Sequence, residues 1–295
     1  MKNLIYSETA SLDERLDDYD PFDLNEISQY HPEGCSCRVC QEEDTEIIGR
    51  DDRKLIRSTT HTPFRYICHV EIDRSSGPEP GRTGTLIGPK TVLTAGHCIW
   101  DESNDQKENL KKVKIRVIPG RYGAFEPLPT SKAVHLEVAK GYDKTKGGSA
   151  LDYGILHLKE PLGTYIGYWS LNYKKWPKDP RGVSILNGPL PFAPSSGKLK
   201  LNIAGYPVDK PSWDHQYRGN YTYWDYDRAI ALKAGMLHYL NDTYQGHSGS
   251  PVWLKRSKWK GGRVLVGIHV AGTSKGNRAV FLSKSVREFI AKNVK

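Results

Sequence analysis

The chain has 295 residues, 37% of them hydrophobic, with 28 glycines and 18 prolines. That length is enough to bury a full core, and so turn-rich a composition favours short strands over long helices. No apolar run approaches a membrane span, and the opening Met1-Lys2-Asn3-Leu4-Ile5-Tyr6-Ser7-Glu8 turns polar before a secretory signal core could form.

The net charge of +9 is unevenly distributed. Residues 1–46 carry 13 acidic and 3 basic side chains, a balance of −10, and the rest of the chain carries +19. This acidic stretch has little hydrophobic periodicity and reads as a leader or pro-segment. Either it is attracted to the basic body, or the body prefers acidic partners, or the segment is a solvated tail beside an ordinary soluble surface. The basic residues are scattered, and the aromatic stretch from Tyr217 to Tyr226 has no base-reading or phosphate-reading motif, so no nucleic-acid partner is expected. The leader also holds Cys35, Cys37 and Cys40 near His31, but their spacing fits no common zinc pattern, and no metal site is assigned. A redox-labile or disulfide-bearing leader fits these cysteines better. Cys68 and Cys98 could bridge only if packing brings them close.

From Ile47 onward the pattern is short apolar stretches between Gly, Pro, Asp and Asn. Strands are predicted at Phe64–Ile72, Gly84–Ile87, Thr91–Thr94, Val113–Ile118, Ala133–Val138 and Tyr153–Leu158. The second half continues with Val183–Leu186, Lys198–Ala204, Ile230–Ala234, Met236–Tyr239, Pro251–Leu254, Arg263–His269 and Ala279–Leu282. Many short strands at this spacing indicate an all-β barrel or sandwich architecture. One helix is predicted at the end. Ser285 and Glu288 form its capping box, Val286, Phe289, Ile290 and Val294 share a face, and it is expected to pack on the second half.

Three motifs carry chemistry. Ser248 stands in Gly246-His247-Ser248-Gly249-Ser250-Pro251, and a serine hydroxyl is a poor nucleophile until a base takes its proton. His97, in Thr94-Ala95-Gly96-His97-Cys98, is the candidate base. Asp152, in Leu151-Asp152-Tyr153-Gly154-Ile155-Leu156, is the candidate group that orients it. The flanking glycines permit a tight turn, making the Gly246 and Ser248 amides candidate oxyanion-hole donors. Taken singly, these are a Gly-Ser turn, a packed histidine and a strand-end aspartate. Together and in this order they point to nucleophilic catalysis.

These motifs resemble the three signatures of chymotrypsin-fold serine proteases, whose chain order of histidine, aspartate and serine they share. Ile48-Gly49-Arg50-Asp51-Asp52-Arg53, Leu86-Ile87-Gly88-Pro89-Lys90-Thr91, Ala204-Gly205-Tyr206-Pro207 and Asp242-Thr243-Tyr244 are similar to stretches of the bacterial glutamyl endopeptidases. The resemblance implies two antiparallel six-stranded β-barrels plus a C-terminal helix. Residues 47–168 would form the barrel carrying His97 and Asp152, and residues 169–295 the barrel carrying Ser248. It further implies a secreted, monomeric endopeptidase acting on protein or peptide substrates without a cofactor, cutting after glutamate and less readily after aspartate.

Thr243 and His269 match that family's pocket residues, and a hydroxyl and an imidazole both suit a carboxylate. Val270 to Gly272 would pair with substrate as an added strand. Ile47 follows Glu46, so a cut there would remove the leader and free the amino group that binds the substrate carboxylate in that family. Three departures are visible, the first being that the family is exported behind a signal peptide and this chain shows none. Position 247 is histidine where the chymotrypsin branch has an aspartate that locks the new amino terminus. Arg82-Thr83 stands where a cysteine partner for Cys98 would fall. A protease of other specificity, or an idle toxin or binding module on the same fold, remains an alternative.

Overall fold

The computed structural model describes residues 47–74, 77–78, 81–100, 113–142, 148–169, 199–210, 219–255, 262–273 and 276–295. The expectations for Cys35, Cys37, Cys40, His31 and Glu46, and for a strand at Val183–Leu186, lie outside these residues.

The first sheet is built from β2 (Ile67–Arg74), β3 (Gly77–Pro78), β4 (Arg82–Gly88), β5 (Thr91–Thr94), β6 (Val113–Pro119), β7 (Ser131–Val138) and β8 (Gly154–Leu158). They run in the order β3-β2-β4-β5-β8-β7-β6, and β2 also pairs with β6 from Cys68↔Pro119 to Arg74↔Val113. That second pairing closes six strands into a barrel, with the two-residue β3 appended. Closure leaves no free edge.

The second sheet repeats the plan with β9 (Lys200–Gly205), β10 (Tyr223–Lys233), β11 (Met236–Tyr239), β12 (Pro251–Lys255), β13 (Arg263–Thr273) and β14 (Gly276–Phe281). The β9–β10 pairing, from Gly205↔Tyr223 to Lys200↔Arg228, closes this barrel. The short β1 (Lys54–Leu55) pairs with β10, so a segment expected in the first barrel extends the second.

The predicted architecture of two six-stranded antiparallel barrels is therefore present. Most strands overlap their predicted spans, and Thr91–Thr94 and Met236–Tyr239 coincide with them. The largest difference is β10, which is 11 residues long and starts at Tyr223 rather than Ile230. Its inward positions include a buried carboxylate, Asp225, which masks the apolar alternation.

Three short helices complete the fold: α1 (Gly96–Ile99), α2 (Leu162–Ile166) and α3 (Lys284–Asn293). Helix α3 starts earlier than its sequence signature. Ser283, not Ser285, is the N-cap, and its Oγ accepts from Val286 N at 3.4 Å. Val286 and Ile290 are buried and Phe289 is partly so, but Val294 lies past the helix end and is exposed. Helix α3 also reaches the first barrel. Phe289 meets Tyr153 of the first barrel edge-on at 5.1 Å, and the Lys295 carbonyl accepts from Lys90 N at 2.9 Å. The helix ties the end of the second barrel to the first.

Cys68 and Cys98 are buried free thiols. Burial pushes the Cys68 thiol far above its usual range.

Candidate active site

β5 ends at Thr94, and the one-turn helix α1 then carries His97 across the barrel mouth. Asp152 sits just before β8, the strand paired with β5, so the sheet register brings the two side chains together. His97 Nδ1 lies 2.7 Å from Asp152 Oδ2. Asp152 Oδ1 accepts the His97 amide at 2.8 Å, and Oδ2 also accepts the Gly148 amide at 2.8 Å. Three donors therefore satisfy a carboxylate that is 0% exposed, while the His97 ring keeps 24% of its surface open.

Burial opposes ionisation of Asp152, but the His97 ring and the two amides outweigh it and hold its carboxyl below the usual range. For His97, burial disfavours the imidazolium. The neighbouring Cys98 and Asp152 outweigh that effect, and its pKa is raised. A buried aspartate on Nδ1 fixes the tautomer that leaves Nε2 free to take a proton.

Ser248 is half-buried in the loop between β11 and β12. The loop is anchored to the first barrel through Thr83 of β4. Thr83 N donates to the Ser248 carbonyl at 3.0 Å, and Thr83 Oγ1 donates to the Gly246 carbonyl at 2.7 Å. The same hydroxyl accepts Tyr206 N at 3.0 Å. Thr94 Oγ1, three residues before His97, donates to the Thr83 carbonyl at 2.7 Å. Continuous hydrogen bonds thus run from the His97 turn to the Ser248 peptide.

The glycines on either side are required by close approach. At Gly249 (φ +86°) a Cβ would stand 1.9 Å from the Thr83 carbonyl oxygen, and at Gly246 (φ +98°) one would stand 2.2 Å from that of Tyr206. Among the described residues, neither the Gly246 amide nor the Ser248 amide donates to a backbone carbonyl. Thr83 carries no sequence signal of its own. It is visible only as the residue standing where a bridging cysteine was expected.

The other predicted residues are arranged around this loop. His269, 2% exposed, receives Gly249 N on its carbonyl at 2.8 Å and donates its own amide to Ser250 O at 2.9 Å. Its Nδ1 is 2.6 Å from Tyr239 Oη, a buried hydroxyl the sequence did not single out. Thr243 is fully buried. Val270 to Gly272 follow the last β12–β13 pair, Pro251↔Ile268, so among the described residues they have β14 on one side and no strand on the other.

His247 is buried, with its ring edge-on to His269 at 6.5 Å. Burial, reinforced by Arg53 and His269, pushes its pKa well down, and its Nδ1 accepts Tyr244 N at 3.1 Å.

Ile47 begins a segment that is tied to Asp242, the neighbour of Thr243. Ile48 N and Asp52 N donate to the two oxygens of Asp242 at 2.8 and 2.9 Å. The buried Arg53 guanidinium pairs with Asp51 and Asp209. Asp242 in turn donates its amide to Asp225 Oδ2 at 2.9 Å. Burial raises the Asp225 carboxyl to about 6.

Two closed antiparallel barrels with this geometry define the chymotrypsin-like fold class, and a solved structure titled "Structure of Glu endopeptidase in complex with MPD" shares the fold. It matches with a TM-score of 0.60 and 24% identity, over 83% of this chain and 98% of that one. The chain belongs to the Trypsin family of serine proteases, whose pattern matches residues 56–289. It is 33% identical over 246 residues to a glutamyl endopeptidase of Bacillus licheniformis, covering 81% of this chain and 66% of that protein. A Bacillus subtilis protein named extracellular metalloprotease is 29% identical over 244 residues, covering 82% and 67%. The chain thus spans about two thirds of the length of the curated relatives it matches.

Proposed function

We propose that the protein is a serine endopeptidase that cuts after glutamate through a Ser248–His97–Asp152 triad. The observation that carries this reading is the Asp152–His97 pair together with the hydrogen bonds that run from Thr94, three residues before His97, through Thr83 to the Ser248 peptide. His97 Nε2 takes the Ser248 proton as Oγ attacks the carbonyl, and the Gly246 and Ser248 amides receive the developing oxyanion. His97 then protonates the leaving amine. Water enters by the same route and releases the acyl group, so each proton taken is returned.

Glutamate preference is read from Thr243 and His269, supported by the likeness to a glutamyl endopeptidase. A hydroxyl proton given by Tyr239 to His269 Nδ1 leaves the ring hydrogen on Nε2, the donor a substrate carboxylate needs. Val270 and Gly272 supply the backbone edge to which the substrate adds as a strand.

Residues 1–46 act as an acidic pro-segment removed by a cut after Glu46, which makes the protein a zymogen and frees the Ile47 amino group. The backbone just beyond Ile47 is already held by Asp242, next to Thr243. The working site is extracellular. A peptide library profiled on the residue before the cut tests activity and pocket together. Glutamate should dominate, and a profile centred on arginine or aromatic residues contradicts the pocket assignment.

A further inference from the structure

On β14, Arg278 stands opposite Ala271 of β13 on one side and His238 of β11 on the other. Directly opposed residues of an antiparallel pair share a face, so the Arg278 and Ala271 side chains point the same way. Gly148, whose amide holds Asp152, closes over that face. A Cβ built on it would lie 2.8 Å from Ala271 Cβ and 3.5 Å from Arg278 Nη2. The guanidinium therefore lies between the open substrate edge of β13 and the loop that positions the catalytic aspartate.

Arg278 Nε is buried and has no hydrogen-bond partner among the described residues, and within that set no carboxylate pairs with the group. A guanidinium offers five donors in a planar fork that matches a carboxylate, and a buried donor left without a partner is costly. The surroundings are positive as well. Burial lowers the His238 pKa, and the charges of Arg278 and Lys233 lower it further.

We propose that Arg278 builds a second anionic subsite, which takes a carboxylate side chain at the fourth residue before the scissile bond. This rests on the reading of the protein as an endopeptidase whose substrate adds as a strand along Val270–Gly272. In that antiparallel register the residue opposite Ala271 is the second before the cut. Side chains two apart share a face, so the second and fourth substrate residues project to the face of Ala271 and Arg278, the second in line with that pair and the fourth in line with Thr273 and Gly276. The first enters the pocket of His269 and Thr243, and the third faces away. Two residues along the strand and two strand spacings across put the fourth residue about 12 Å from the Arg278 backbone, within the combined reach of an arginine and a glutamate side chain. The chain's own junction, Glu43-Asp44-Thr45-Glu46, has this pattern, with a carboxylate at the first and fourth positions and a small polar residue at the second.

Peptides with glutamate fixed before the cut, and Glu, Gln or Lys at the fourth position and Asp or Asn at the third, test this directly. Glu over Gln at the fourth position should raise kcat/KM about tenfold, the scale of one charge-assisted hydrogen bond. The third-position exchange should change little. Arg278→Gln should erase the fourth-position preference and leave the preference for glutamate at the first. Arg278→Lys, which keeps the charge, should retain most of it.

A binding measurement does not depend on hydrolysis. Fluorescein-labelled Glu-Asp-Thr-Glu, the product side of the junction, should bind Ser248→Ala protein about tenfold more tightly than the Ser248→Ala/Arg278→Gln double variant. A flat fourth-position profile in an enzyme that cuts after glutamate overturns the proposal, as does a preference untouched by Arg278→Gln. If nothing is cut but Arg278-dependent binding persists, the subsite stands and the protease reading falls. If neither is seen, both fall.

Discussion

Replacing Thr83 by valine isolates the contact on which the nucleophile loop depends. The substitution keeps the shape of the side chain and removes one hydroxyl, which donates to the Gly246 carbonyl at 2.7 Å and accepts Tyr206 N at 3.0 Å. Both partners are buried, so two polar groups are left without their bonds. Each such loss costs about 1–3 kcal/mol, giving about 2–6 kcal/mol together. For a domain of this size that corresponds to a fall in Tm of roughly 5–20 °C. The Gly246 carbonyl belongs to the peptide shared with His247, so its release loosens the turn that orients the Gly246 and Ser248 amides, and losing one such donor costs about 10²–10³ in kcat. The assay pairs thermal denaturation with kcat and KM on a glutamyl peptide. Thr85→Val serves as the control, because among the described residues the Thr85 hydroxyl reaches only the Tyr66 carbonyl, at 3.1 Å. It should lower Tm modestly and leave kcat alone. If Thr83→Val matches wild type in both Tm and kcat, Thr83 does not hold the loop and this argument is refuted.

The acid limb of the kcat/KM profile should have its midpoint above the ordinary histidine value of 6.5, because the folded enzyme favours the His97 imidazolium and the free base forms only above a raised pKa. Asp152→Asn should move that limb down and lower kcat by about 10⁴; a wild-type midpoint below 6.5 would contradict the coupling. Asp225 gives a separate test in stability. Its carboxyl is raised from 3.8 to about 6, so the folded state holds a proton that the unfolded state releases first. Stability should fall as pH rises through about 4 to 6, by about 3 kcal/mol. Asp225→Asn, compared by urea denaturation at pH 4 and pH 7.5, should flatten that slope; an unchanged slope shows that another group is responsible.

The proposed site residues stand out in the sequence because their constraints are local. Ser248 needs Gly246 and Gly249 beside it for close approach, and His97 and Asp152 lie in short motifs at the ends of paired strands. The strands were legible where side chains alternate, as at Val113, Ile115 and Val117 of β6, which are buried while Lys114 is exposed. Sequence reading failed where a polar group was buried for a tertiary reason. Asp225 lies inside β10 because it receives the amide of Asp242, a contact 17 residues away, and without that partner the segment looks like a solvated loop. Thr83 and Tyr239 were invisible for the same reason, since each acts through a partner from a distant strand. The helix start was misplaced because Ser283 and Ser285 are both chemically able to cap, and only the path of the chain leaving β14 selects the first.

The central claim is that Ser248 is a nucleophile activated by His97. A fluorophosphonate probe, applied to the full-length chain and to the chain beginning at Ile47, with intact mass and peptide mapping, tests it most directly. The account predicts one adduct, on Ser248, in the chain beginning at Ile47, and none when His97 is replaced by alanine. Absence of any adduct in both forms, or labelling at another residue, would contradict it.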